Sequence, residues 1–282
     1  MHGFFASPAV QLGAGIGAAV AIVAATLGVF TVIRSQAFAG ESMGDIGTAG
    51  GAGAYLLSVG PVLGFAAATT AAAAIMELLG VQRARGRDLV TGVVLGAGFA
   101  LSALLLYVAT TDNTTSGTTS TVMFGSLFAL RSSDLALTLS LAAIALGVTL
   151  ALFRPLLLAS TDTDLAAAQG LPLRLLGFAY LLALAIAVAL AALTVGSILS
   201  TALLVGPAAT ALKLTDRPLR AVVYASVIGI GAVWLGLVLA YDSYDWPPAH
   251  HGWPASFFIV ALVLCAYLAG GGWRRWADRR AA

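Results

Sequence analysis

Two carboxylates, Glu41 and Asp45, stand four residues apart in the stretch GESMGD, and no Lys or Arg follows them until Arg83. On a helix, residues i and i+4 share a face, so the two acids are neighbours there. Like charges so placed repel unless a cation or a shared proton compensates. Carboxylate oxygens suit hard divalent ions such as manganese, and zinc accepts them too. Two other readings fit the same spacing: a solvated pair, and pairing of Glu41 with Arg34 two helical turns earlier. Glycines at positions 40, 44, 47, 50, 51 and 53 leave room beside the acids and let neighbouring helices approach closely.

A second group able to hold a transition metal is Asp242, Asp245, His250 and His251, in the stretch YDSYDWPPAHHGWP. Neutral imidazoles beside carboxylates can capture such an ion, and a solvated polar loop is the plainer reading. Glu77, followed by Arg83, Arg85 and Arg87, is expected to pair with those arginines and to serve structure.

The elements that must position these groups follow from composition. The 282 residues are 60% hydrophobic and 9% charged, with a mean hydropathy of +0.98. A soluble domain carries roughly 25% charged residues, so this chain cannot cover a water-facing surface. It is expected to be an all-α, polytopic membrane protein of about eight or nine spanning helices, one membrane domain over residues 1–282. Apolar spans are placed near 10–33, 45–58, 59–80, 89–110, 135–156, 173–193, 194–213, 219–241 and 255–271. The second is short and reads as a broken or half-length helix. The first nine residues lack Lys and Arg and do not read as a cleaved signal, so the run from Val10 is taken as a true span.

Basic residues set the orientation. QRARGRD, LKLTDRPLR and the tail WRRWADRR belong in the cytoplasm, while TTDNTTSGTTST and the His250–His251 loop belong outside. Nine spans alternate without conflict and put the N-terminus outside.

One polar stretch remains between two inward-facing ends, ASTDTDLAAAQGLP at about 159–172. Thr161, Asp162 and Thr163 are good caps for a short helix over Leu165–Gln169, stopped by Gly170 and Pro172. A plain connecting loop and a docking helix for a cytoplasmic partner are both open. Gly206–Pro207 falls inside an apolar helix, where proline removes a backbone bond. Broken helices of this kind line transport sites, and a packing kink is the other reading.

Several chemistries lack their motifs. No phosphate-binding G-x-x-x-x-G-K-[ST] loop occurs, nor HExxH, nor G-x-S-x-G. The single cysteine, Cys265, excludes an internal disulfide or a thiolate cluster. No basic stripe interleaves with aromatics, so nucleic acid is not an expected ligand. The chain is expected to be a conduit with no intrinsic cofactor rather than an enzyme.

Four stretches carry a resemblance: LGVFTVIRSQAFAGESMGDIG, MFGSLFAL, DLAAAQGLPLRLL and VGSILSTALLVGPAATALKLT. Together, over nearly the whole length, they resemble the membrane permease of ABC importers for zinc, manganese and related metals. The resemblance implies a homodimer in a bacterial inner membrane, fed with metal by an extracytoplasmic binding protein. Two copies of a separate cytoplasmic ATPase, which binds the ATP, would drive it. It also implies that the segment at 159–172 is the coupling helix, with Asp162, Asp164, Gln169, Gly170 and Leu171 meeting the ATPase. The family pattern Gly-Asp-Ala-Leu-Ser-His-Ala places Gly40 at its glycine, Glu41 at its aspartate and Asp45 at its histidine. Both positions keep a ligand type, but the nitrogen donor is gone, and an all-oxygen pair discriminates less in favour of zinc. The rivals are a permease for metal chelates of the siderophore or cobalamin type and an ion-coupled secondary carrier.

Overall fold

Proline stands in the first turn of three long helices, at Pro8, Pro61 and Pro218, where its missing N–H is one no helix could satisfy internally. The computed structural model describes residues 7–81, 87–111, 122–125, 132–245 and 252–281. Its helices run in the order α1 Pro8–Ile33, α2 Ala37–Leu56, α3 Pro61–Leu78, α4 Arg87–Thr111, α5 Ser132–Ala151, α6 Phe153–Thr161, α7 Thr163–Ala168, α8 Leu173–Val195, α9 Ser197–Leu214, α10 Pro218–Asp242 and α11 Ala255–Ala281. A 3-10 turn at Ser243–Asp245 follows α10. The described residues hold no β-strand.

Among the described residues, seven helices are long and apolar enough to cross a membrane, and the α5–α6 pair makes an eighth if it is one span. The 20-residue α2 falls outside that set because its glycines and two acids lower its hydropathy. At about 1.5 Å per residue it is still roughly 30 Å long, a bilayer's hydrocarbon thickness. The chain is a multi-pass membrane protein.

α1 and α8 form the centre. Val20, Leu27 and Phe30 of α1 and Leu184 and Leu190 of α8 are all 0% exposed. Lipid tails are as apolar as leucine, so association rests on close packing and small side chains rather than on escape from water. α2 and α3 show this most directly. A Cβ on Gly50 would lie 2.3 Å from the Gly64 carbonyl oxygen, and one on Gly64 would lie 2.4 Å from that of Gly50. Where α8 gives way to α9, Gly196 has φ +97° and Gly125 opposite has φ +75°, both left-handed. A Cβ on Gly196 would stand 2.2 Å from the Met123 carbonyl, so two segments far apart in sequence meet backbone to backbone.

Three expectations are corrected. The second span begins at Ala37, not near 45, because the turn from α1 takes only Arg34–Gln36 and the chain is helical again at once. The span placed at 135–156 is two helices bent by 63° at Leu152, so α6 swings aside toward the short α7. No break occurs at Gly206–Pro207, since α9 is helical from Ser197 to Leu214. Proline there forfeits one bond, and Gly206 is needed for packing: its Cβ would meet Val263 Cγ1 of α11 at 2.2 Å. The interruption lies ten residues earlier, at Gly196.

Candidate metal pathway site

The site is built on α2, and its first constraint is the corner before it. Gln36 donates its backbone N–H to the Thr31 carbonyl at 2.9 Å, and Ser35 takes φ +53° so that the chain can reverse. α2 then brings Glu41 and Asp45 onto one regular helix, one turn apart and both half-buried.

Three flanks of α2 are held by small or hydroxyl-bearing residues. Toward α9, a Cβ on Gly40 would meet Leu204 Cδ2 at 3.1 Å, and one on Gly44 would meet Ser200 Oγ at 3.3 Å. Toward α3, a Cβ on Gly47 would come within 2.9 Å of Thr69 Cγ2. Toward α4, Ser42 Oγ stands 3.0 Å from the Thr91 carbonyl and 2.8 Å from that of Phe38 on its own helix, its one hydroxyl hydrogen serving either. Ser102 Oγ of α4 donates to the backbone carbonyl of Asp45. Gly98 lets α4 come this close, since its Cβ would stand 3.3 Å from Asp45 Cβ and 2.7 Å from Ile46 Cγ1. At about 100° of rotation per residue, Glu41 and Asp45 fall between the α9 and α4 flanks.

Among the described residues, neither carboxylate has a hydrogen-bond or ion-pair partner. Pairing of Glu41 with Arg34 does not occur. Arg34 turns away, donating from Nη1 to Ser160 Oγ at 3.2 Å and lying 4.9 Å from the Tyr180 ring centroid. No third His, Cys, Asp or Glu joins the pair to make a group of three among the described residues. The nearby donors are oxygens: Ser200 Oγ, itself bonded to the Ser197 carbonyl at 2.8 Å, and Thr48 Oγ1, bonded to the Gly44 carbonyl at 3.0 Å. Two carboxylates and neutral oxygens can hold a hard divalent cation that keeps part of its water.

The segment at 159–172 folds as its caps require. Asp162 accepts the Leu165 N–H at 2.9 Å, and α7 runs over Thr163–Ala168. Gln169 ends it and Gly170 takes φ +73°. Its N–H bonds the Ala167 carbonyl and that of Leu171 the Ala166 carbonyl, at 2.9 and 3.1 Å. Asp164 and Gln169 are exposed, as is Leu165, an apolar side chain 47% exposed on a polar turn.

Of the Asp242, Asp245, His250 and His251 group only part lies among the described residues. Asp242 is exposed at the end of α10 and Asp245 closes the 3-10 turn, while His250 and His251 lie outside the described residues. Glu77 lines a cleft with Arg174 of α8; its Oε2 is buried and has no hydrogen-bond partner among the described residues, and Arg83 and Arg85 lie outside them.

The α4 residues around the site, Thr91, Gly98 and Ser102, were not singled out from sequence. The available signal was their spacing of seven and four, which keeps small and hydroxyl groups on one face of an apolar helix.

The sequence model of the ABC 3 transport family matches residues 8–268. The chain is 30% identical over 222 residues to the manganese transport system membrane protein MntC of Listeria monocytogenes, covering 79% of this chain and 78% of that one. It is 27% identical over 236 residues to the high-affinity zinc uptake system membrane protein ZnuB of Haemophilus influenzae, covering 82% of this chain and 88% of that one. In three dimensions it is similar to PsaBC from Streptococcus pneumoniae solved in complex with Fab, with a TM-score of 0.80 at 24% identity over 95% of this chain and 93% of that chain.

Proposed function

The chain belongs to the ABC 3 transport family, and we propose that it is the membrane permease of an ATP-driven importer of divalent transition-metal ions, manganese ahead of zinc. The observation that carries this reading is the pair Glu41 and Asp45, one turn apart on a helix whose other flanks are closed by glycine and hydroxyl residues. Charges cost about 2.5–3.5 kcal/mol each at a membrane helix centre on insertion scales, so two adjacent acids without a protein partner call for a cation. The names of the relatives, for manganese and for zinc, support the class. The donor chemistry favours manganese, because the pair offers oxygen and no imidazole.

The partners follow from what the chain lacks and exposes. It has no phosphate loop, so ATP is bound by a separate cytoplasmic ATPase. The capped α7 with exposed Leu165, flanked by Asp162, Asp164, Gln169, Gly170 and Leu171, is the surface that would seat in it. A second copy of the chain would complete the permease as one membrane domain per copy in a bacterial cell membrane. An extracytoplasmic metal-binding protein would deliver the ion to the outer side. ATP-driven closure of the ATPases moves α7, and the pathway around Glu41 and Asp45 then opens inward instead of outward.

A chelate permease is disfavoured by the same geometry, since a large chelate has no use for two acids at one-turn spacing among close-packed glycines. An ion-coupled carrier would move metal without any ATPase. Purification of the chain with its ATPase, reconstitution in vesicles and uptake of manganese with and without ATP tests the reading. Uptake that needs no ATP overturns it.

A further inference from the structure

The acid-bearing helix and the cytoplasmic docking segment are joined through one side chain. Arg34 sits in the corner between α1 and α2, three residues before α2 begins. Its Nη1 donates to Ser160 Oγ at 3.2 Å, and Ser160 lies in the last turn of α6, two residues before the Asp162 cap of α7. Its guanidinium lies over Tyr180 of α8 at 4.9 Å from the ring centroid. Tyr180, 2% exposed, bonds through its hydroxyl to Thr31 Oγ1 at 2.8 Å, one turn before Arg34 on α1. Phe30 packs edge-on against Phe153 at the start of α6, with centroids 5.2 Å apart. Both ends of α6 are therefore tied to the end of α1.

The corner itself is not relaxed. Ser35 holds a left-handed φ of +53°, unusual for a residue with a side chain. The next residue, Gln36, is 1% exposed, and among the described residues neither Nε2 nor Oε1 of its amide has a hydrogen-bond partner. A buried amide with nothing to bond is rare and points to an arrangement that the surroundings impose.

We propose that Arg34 is the coupling residue of this permease: through Ser160 and Tyr180 it ties the α7 docking segment to the α1–α2 corner. Displacement of α7 is thereby passed to α2, and with it to Glu41 and Asp45. This inference rests on the permease reading above. Arg34 is a positioning residue, since it touches neither acid. Its planar guanidinium does two things at once, lying on the Tyr180 face and reaching Ser160, and lysine, a single point charge, cannot do both together.

The test uses the intact complex of the chain with its ATPase in vesicles, with manganese as the ion. Three quantities are read: manganese bound at equilibrium, ATP hydrolysed, and manganese moved per ATP. Arg34→Ala is expected to leave binding and hydrolysis near wild type and to lower manganese moved per ATP roughly fivefold or more, the range of ordinary site-to-site coupling. Arg34→Lys should recover part of the loss, and Ser160→Ala should show a smaller loss of the same kind. An unchanged ratio in Arg34→Ala overturns the proposal. So does a loss of manganese binding as large as that of Glu41→Ala, which would make Arg34 part of the ion site. If Arg34→Ala fails to assemble, Ser160→Ala and Tyr180→Leu decide, because each removes one of the contacts Arg34 makes, and a wild-type ratio in both overturns the proposal. Failure of the wild-type complex to move manganese with ATP refutes the permease reading instead, so the two failures are separable.

Discussion

Ser102 on α4 donates its hydroxyl to the main-chain carbonyl of Asp45 on α2. The bond fixes the backbone of the acid rather than its carboxylate. The carboxylate takes no part in it, while the position of Asp45 along and around α2 is set from the neighbouring helix. α4 is one of the least enclosed helices, yet Gly98 brings it to within contact of Asp45 and Ile46. A side chain on the weakly enclosed α4 therefore determines where Asp45 stands.

Removing that bond should alter transport more than stability. Ser102→Ala is expected to cost roughly 0.6 kcal/mol of stability, the average for side-chain bonds between membrane helices. Thermal unfolding in detergent reads the first effect and manganese uptake the second. Equal wild-type uptake would show that α4 does not position Asp45.

The Gly50–Gly64 contact is the packing counterpart. Gly50→Val places a Cβ where the Gly64 carbonyl stands 2.3 Å away, with backbone rather than a flexible side chain in the way. α2 and α3 must then separate. The expected result is a complex that expresses poorly or elutes as aggregate, checked by size-exclusion chromatography. Gly53→Ala on the same helix meets only Leu105 Cδ1 at 3.9 Å and should be tolerated.

Asp162→Ala removes the cap that accepts the Leu165 N–H and should cost α7 about 1 kcal/mol. With Leu171 changed as well, ATP hydrolysis is expected to continue without matching manganese uptake. The ratio of the two rates is the readout, and a wild-type ratio rejects α7 as the docking element.

Asp45→His replaces an oxygen donor by nitrogen at one-turn spacing from Glu41. Imidazole suits zinc better than manganese. Uptake with both ions competing should shift toward zinc, and a shift toward manganese would contradict the donor argument.

Much of this was legible in the residues. Glu41 and Asp45 share a face because four residues make about one turn, and Asp162 caps a short helix because its side chain can reach an N–H three residues on. The length of α2 was less legible, since Glu41 and the glycines before residue 45 lower the hydropathy by which spans are recognised, and packing among α3, α4, α8 and α9 makes up for it. Gly206–Pro207 looked like a break because proline forfeits a bond, but α9 stays helical and the interruption falls at Gly196, where two left-handed glycines cross. The bend at Leu152 was there to be read in Pro155, which has no N–H to give the Ala151 carbonyl, while the packing of Phe30 on Phe153 that holds α6 in place was not. Arg34 looked available to Glu41 by spacing, and only the fold turns it toward Ser160 and Tyr180.

The central claim is that the ion passes through the Glu41–Asp45 pair. The most direct measurement is ATP-dependent manganese uptake by vesicles holding the complete complex, wild type against Glu41→Ala with Asp45→Ala. Uptake should vanish in the double variant while assembly with the ATPase, followed by copurification, is retained. Wild-type uptake by an assembled double variant would contradict the account.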